Sequence, residues 1–184
     1  MPLVHISKKS SMSDWSPLRL SGAGTAAVLS AVLLLFPGLA SALEVGDAPP
    51  RIDLPDQKGA RVELDKLRGK LVIVDFWASW CAPCREEMPA LDKLYEKYGK
   101  QGLVVVAVNI DRSEKKMRSA LKSMPVSFAV VHEKGLKLAS QYEPSVMPSS
   151  YFIGRGGRVE YIHRGFRKKD LPEIEAQVQK LLAE

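Results

Sequence analysis

An α/β domain, with a mixed central sheet flanked by helices, is the fold class this sequence predicts. Three observations carry the expectation. Apolar runs of strand length, Leu71–Ala78 and Leu103–Ile110, alternate with segments of helical periodicity. Two short strand patterns, Ser149–Ile153 and Val159–His163, flank Gly154-Arg155-Gly156-Gly157, a hairpin signal. An amphipathic segment then closes the chain. At 184 residues, 46% hydrophobic and 26% charged, the sequence suits one domain and leaves little room for two.

The first 42 residues stand apart from that domain. Lys8, Lys9 and Arg19 precede the apolar stretch Leu20–Phe36, which Pro37-Gly38 breaks before Ala40-Ser41-Ala42. A basic flank, an apolar core, a helix breaker and an A-x-A site are the parts of a secretory signal, so cleavage after Ala42 is expected. The competing reading is an uncleaved anchor, since 17 residues is the lower edge of what spans a bilayer. The leading segment is long for a signal, which makes Met12 a second candidate start beside Met1. No Cys ends the apolar core, so a lipid-modified terminus is not indicated. Either way the domain, Leu43–Glu184, is expected outside the cytoplasm, in a periplasmic setting. Without residues 1–42 the chain carries 24 basic and 20 acidic side chains, interspersed, a net charge of +4. Such a surface argues against nucleic acid as a partner.

The elements follow in order. Glu44–Leu54, with Pro49, Pro50 and Pro55 around it, reads as extended, and Arg61–Leu64 as a short strand. Leu71–Ala78 is nearly continuous in apolar residues, as in a central strand buried on both faces. A helix is expected from the cysteines to about Tyr98, with Met88, Leu91, Leu94 and Tyr95 on its apolar side and Gly99 and Gly102 ending it. Leu103–Ile110 is a strand, Ser113–Ser123 a helix, Ser127–Val131 a strand and Lys134–Tyr142 a short helix. After the hairpin, Asp170 is expected to cap the last helix, with Pro172 in its first turn.

The chain has two cysteines, Cys81 and Cys84, placed between the strongest strand and the start of a helix. As a structural staple the pair is poor. Closing so short a loop stabilises by only ~2 kcal/mol in the chain-entropy model, against ~4.7 kcal/mol for a hundred-residue loop. As a structural zinc site it lacks partners, because His132 and His163 have no ligand spacing to it. Transient copper binding by two thiolates stays open. Redox chemistry fits the position best: a thiolate at a helix N-terminus meets unpaired N–H groups and the positive end of the dipole, which lower its pKa. Cys81 is then the exposed nucleophile, and Cys84, one turn on, the more buried resolving thiol.

Val74-Asp75-Phe76-Trp77-Ala78-Ser79-Trp80-Cys81-Ala82-Pro83-Cys84-Arg85 resembles the thioredoxin active-site segment, and Glu86-Glu87-Met88-Pro89 after it resembles the TlpA/ResA-like branch of that superfamily. The likeness runs from Val45 to the C-terminus. It implies a thioredoxin-like fold with a helix–strand insertion, Ser113 to Val131, between the CxxC helix and a strand preceded by a cis-proline. Sixty-three residues between Cys84 and Pro148 leave room for it. Pro148, in Val146-Met147-Pro148-Ser149, matches the cis-proline, beside which Met147 offers its backbone to a substrate. Asp75 matches the buried aspartate that handles a proton for the resolving cysteine, a role in keeping with a carboxylate inside an apolar strand. The lysine that accompanies it in thioredoxin corresponds to Ala107. Glu87 matches an acidic residue near the active site in ResA-like proteins, its alternative being an exposed first-turn glutamate favoured by the dipole. Pro89 is expected to bend the helix, Trp80 and Pro83 to rim the thiol, and His132 and His163 to sit at the surface or at strand ends.

The expected reaction is thiol–disulfide exchange through Cys81 and Cys84, with Asp75 and Glu87 assisting and no cofactor beyond the redox-active disulfide. The Ala-Pro dipeptide and the resemblance imply a reductant of client disulfides. Apocytochrome c or copper-site cysteines are the implied clients, and a membrane thiol reductase the implied electron donor. Two alternatives remain: a peroxiredoxin-like peroxidase, which lacks an isolated cysteine here, and a copper chaperone using the same thiols.

Overall fold

The computed structural model describes residues 42–184. The expected signal or anchor segment and the Met12 start lie outside the described residues. Among the described residues no helix is long and apolar enough to cross a membrane.

An extended N-terminal run leads into β1 (Asp53–Pro55) and β2 (Arg61–Glu63), an antiparallel ribbon. β3 (Leu71–Trp77) follows and is the middle strand of a five-stranded sheet ordered β5-β4-β3-β6-β7. It pairs in parallel with β4 (Leu103–Asn109) and antiparallel with β6 (Ser149–Ile153). β5 (Ala129–His132) extends the parallel side, and β7 (Val159–Arg164) the antiparallel side. The sheet is therefore mixed, as expected. Every residue of β3 is buried, which explains its unbroken apolar run. Strand alternation sends Leu71, Ile73, Asp75 and Trp77 to one face and Val72, Val74 and Phe76 to the other.

The first face is covered by α1 (Ala82–Tyr98) and α4 (Leu171–Ala183). Cys84, Glu87, Met88, Leu91 and Leu94 form the buried stripe of α1, and Ile174, Val178 and Leu181 that of α4. The second face is covered by Leu138 and Tyr142 of α3 (Lys137–Tyr142) and by Leu43 and Ile52 of the N-terminal run. Pro89 lies inside α1. A 3-10 turn over Gly99–Gln101 ends that helix, and Gly102, at φ +111°, adopts a backbone that side chains rarely allow, reversing the chain into β4.

Several boundaries differ from those the sequence predicts. β1 lies inside a segment read only as extended. β5 starts at Ala129 because Phe128 is buried in the core and the Ser127 N–H donates to Asp92 Oδ1 at 2.6 Å. α2 (Glu114–Ser123) matches the expected helix, with Ser113 at its N-cap. α3 begins at Lys137 rather than Lys134, because Gly135 and Leu136 have φ of +98° and +59° and cannot be helical. Glu133 instead accepts from the N–H groups of Leu138 and Ala139 and caps that helix. Asp170 does not cap α4 with its side chain. Its carboxylate accepts the Arg167 N–H at 2.9 Å and closes the 3-10 turn before the helix. His132 and His163 lie at the ends of β5 and β7, within the expected alternatives, although His163 is not at the surface: it is 9% exposed, paired with Ser150 across the β6–β7 ladder.

Candidate active site

β3 runs out at Trp77, and the chain turns through Ala78 to Trp80 into α1. Cys81 is the N-cap, in extended backbone, and its Sγ accepts the Cys84 N–H at 3.2 Å. Pro83 falls in the first turn, where a missing N–H costs nothing. Cys81 and Cys84 are joined as a disulfide. Cys81 was expected to be exposed, yet it is 5% exposed against 0% for Cys84. The order of the two holds, but the nucleophile shows only a small opening, and Trp80 beside it is 66% exposed. On reduction, the N–H already aimed at Cys81 Sγ and the unpaired amides of the first turn stabilise a thiolate there.

The turn ahead of Cys81 is braced from β4. Asp111, 2% exposed, accepts the Ser79 N–H at 3.0 Å and the Ser79 hydroxyl at 2.9 Å. Asn109 holds Asp111 in turn, donating from Nδ2 at 2.9 Å and accepting its N–H at 3.1 Å. This clamp orders the loop that presents Trp80 and Cys81. Nothing in the sequence alone marks it, because it joins residues 32 positions apart.

One helical turn after Cys84, on the same buried stripe of α1, Glu87 meets a second carboxyl, that of Asp75. Asp75 and Glu87 are both fully buried. Glu87 is thus not an exposed first-turn glutamate. Its phase with Cys84, Met88 and Leu91, an i, i+3, i+4, i+7 stripe, is the signal that identifies it as inward-facing. The Ser150 hydroxyl lies 2.9 Å from Asp75 Oδ1 and 3.1 Å from Glu87 Oε1 and bridges them. Burial pushes Asp75 up to about 7, against which hydrogen bonds with Ser150 and with Glu87 act. Burial and the nearby Asp75 charge hold Glu87 well above the ordinary carboxyl range. Ala107 stands opposite Asp75 in the β3–β4 register, so no lysine sits at that position.

The Met147–Pro148 peptide is cis. Register pairing of Phe76 with Ser149 puts Pro148 beside Trp77, at the sheet end from which the chain runs to Cys81. Pro148 is buried and Met147 half-buried, while Pro83 is exposed. All eight residues predicted for the site therefore gather at one end of the sheet and along the buried side of α1. The sequence reading missed Ser150, Asp111, Asn109 and Ser79.

The AhpC/TSA family model matches residues 45–162. The thiol-disulfide oxidoreductase ResA of Bacillus cereus (strain ZK / E33L) is 32% identical over 139 residues, covering 76% of this chain and 79% of that protein. ResA of Bacillus subtilis (strain 168) is 35% identical over 131 residues, covering 71% and 73%. A crystal structure from Chlorobium tepidum, described as a candidate thiol:disulfide interchange protein DsbE, superposes with a TM-score of 0.74 at 36% identity and covers 77% of this chain and 99% of its own. The fold is thioredoxin-like, as the sequence predicts.

Proposed function

The chain belongs to the AhpC/TSA family and is a thiol:disulfide oxidoreductase of the ResA-like kind, and from that premise we propose that it reduces specific client disulfides outside the cytoplasm. The observation that carries the reading is a vicinal cysteine pair at a helix N-terminus, its outer sulfur already hydrogen-bonded by Cys84 N–H, together with a buried pair of carboxyls. Cys81 thiolate attacks one sulfur of the client disulfide, forming the mixed disulfide and releasing one client thiolate. Cys84 then attacks Cys81 Sγ, closing the intramolecular disulfide and releasing the second client thiol. Asp75 is the proposed acceptor of the Cys84 proton. Trp80, Pro83, Met147 and cis-Pro148 form the proposed client surface. Regeneration requires a dithiol donor, for which a membrane thiol reductase is the class implied by the resemblance. Clients presenting cysteine pairs for haem or copper fit the same chemistry.

The test is trapping. Cys84→Ser stops the second step, so clients accumulate disulfide-linked to Cys81 when the full chain is expressed in an exporting host. The expected result is a discrete set of adducts released by dithiothreitol and absent from Cys81→Ser. No adduct, with Cys81 fully alkylatable, overturns the reading. Stoichiometric tight copper binding by the reduced protein, without adducts, would favour the chaperone alternative.

A further inference from the structure

We propose that Ser150 is a positioning residue for the exchange reaction, whose hydroxyl joins Asp75 and Glu87 into one acid–base unit that holds at least one proton and passes it between the two carboxyls. The inference rests on the exchange reading above and deepens it.

The geometry carries it. Ser150 Oγ lies within hydrogen-bond distance of both carboxyls, at 2.9 Å and 3.1 Å. A hydroxyl has one proton to donate and two lone pairs to accept with. It cannot donate to two carboxylates at once, so with both ionised one short contact is repulsive. With both protonated, one acid donates to Oγ and the serine proton goes to the carbonyl oxygen of the other, so the contacts require at least one proton on the pair. With one proton on the pair, the protonated carboxyl donates to Oγ and Oγ donates to the ionised one, and all three groups are satisfied. Asp75 Oδ2 and Glu87 Oε2 meet no donor from any other residue among the described residues, so outside the carboxyl pair itself, whose members also lie within reach of each other, Ser150 is the one side chain that hydrogen-bonds either carboxyl.

The other groups turned toward this unit are few. From α1 comes Cys84, one helical turn before Glu87 on the same buried stripe. From β7 comes His163, the cross-strand partner of Ser150. β4 contributes Ala107, which carries no charge. α4 faces this side with Ile174, Val178 and Leu181. Among the described residues no lysine or arginine is buried beside the pair.

In the resolving step the Cys84 thiol proton moves to the ionised carboxyl, leaving a doubly protonated pair and a Cys84 thiolate. That thiolate forms the bond to Cys81 Sγ. The bond from Cys81 to the client sulfur breaks, and the client leaves with the electron pair as a thiolate. The pair then returns its extra proton to water. Concerted transfer through Ser150, taking a proton from one carboxyl while giving its own to the other, places the vacant acceptor oxygen on whichever carboxyl faces Cys84.

The test compares full-chain wild type, Ser150→Ala and Ser150→Thr, reduced and desalted. Single-turnover reduction of a fluorescent peptide disulfide is followed from pH 5 to 9. The expected result is a fall of about tenfold or more near pH 6 for Ser150→Ala. Its rate profile should move to higher pH, because the ionised carboxyl has lost its donor, and Ser150→Thr should restore both. Superimposable wild-type and Ser150→Ala profiles overturn the proposal while leaving exchange intact. A wild type that reduces no disulfide overturns the exchange reading itself. Should Ser150→Ala fail to fold, carboxyl carbon-13 shifts of the reduced wild type decide. Asp75 and Glu87 are expected to report the same two inflections. Two independent single-step titrations overturn the proposal.

Discussion

The two faces of the sheet are built from the same strands and do opposite things. Across β3, Val72, Val74 and Phe76 meet Tyr142 and Tyr151 on one side, an apolar and aromatic layer in which each buried hydroxyl has a partner. Tyr142 donates to Pro50 O at 3.0 Å and Tyr151 to Tyr142 O at 2.9 Å. On the other side the same strand carries Asp75 into an equally buried layer, where it meets a second carboxyl and shares one serine hydroxyl with it. One face satisfies its polar groups and contributes stability that does not depend on pH. The other keeps two carboxyls from ionising freely, which lowers stability at neutral pH and supplies a proton acceptor near Cys84.

The largest test of that contrast is Phe76→Ala. The ring is fully buried between Tyr142, at 5.0 Å between centroids, and Tyr151, at 5.9 Å. Its loss should cost about 3–5 kcal/mol of unfolding free energy. Exchange per folded molecule should stay near the wild-type rate, since of the site residues only Met147, which packs against both layers, reaches that face. A drop in rate per folded molecule, measured below the denaturation range, would show that the faces are not separable.

Asp75→Asn tests the opposite face and should have the opposite sign. The folded-state value of Asp75, about 7, lies above its ordinary 3.8, so the folded chain holds this proton more tightly than the unfolded one. Its contribution to stability is complete below about pH 4 and is lost as pH climbs to about 7, a loss of roughly 4 kcal/mol if the whole shift belonged to this group. Asparagine cannot ionise. The variant should therefore match wild type near pH 4 and be more stable at pH 8, by up to about 4 kcal/mol, while single-turnover exchange slows. Urea unfolding at the two pH values checks the first part. Equal destabilisation at both would mean that Asp75 is held by packing rather than opposed by desolvation.

How far the sequence disclosed each face follows from the range of the contacts involved. Local pattern was enough for β3, for α1 starting at the cysteines and for the Gly154–Gly157 hairpin, because each is set by neighbours within a few residues. The family likeness located Pro148 and Asp75. Helical phase marks Glu87 as inward, though dipole arguments alone leave it ambiguous. Ser150 was out of reach: its role depends on antiparallel pairing of β3 with β6, 75 residues apart. The Asp111 clamp on Ser79 needs a similar long-range meeting of β4 with the active-site loop. The late starts of β5 and α3 follow from the burial of Phe128 and from Leu136 at positive φ, both set by the packed fold rather than by residue preference.

The smallest test returns to the apolar face. Tyr142→Phe removes the hydroxyl that donates to Pro50 O and nothing else, since the ring and the carbonyl that Tyr151 uses both remain. The expected cost is about 1 kcal/mol, the net worth of one hydrogen bond to a part-buried carbonyl. Burial pushes the Tyr142 hydroxyl far above its ordinary value, so it stays protonated throughout the range in which the protein is handled. The deficit should therefore be the same at pH 5 and pH 8, while the gain from Asp75→Asn grows between those values. Measured together, a flat offset on one face and a sloped one on the other separate burial that stabilises the fold from burial that tunes the site. A Tyr142→Phe deficit that grew with pH would tie the tyrosine layer to the carboxyl pair through β3, and the two faces would then be one electrostatic system.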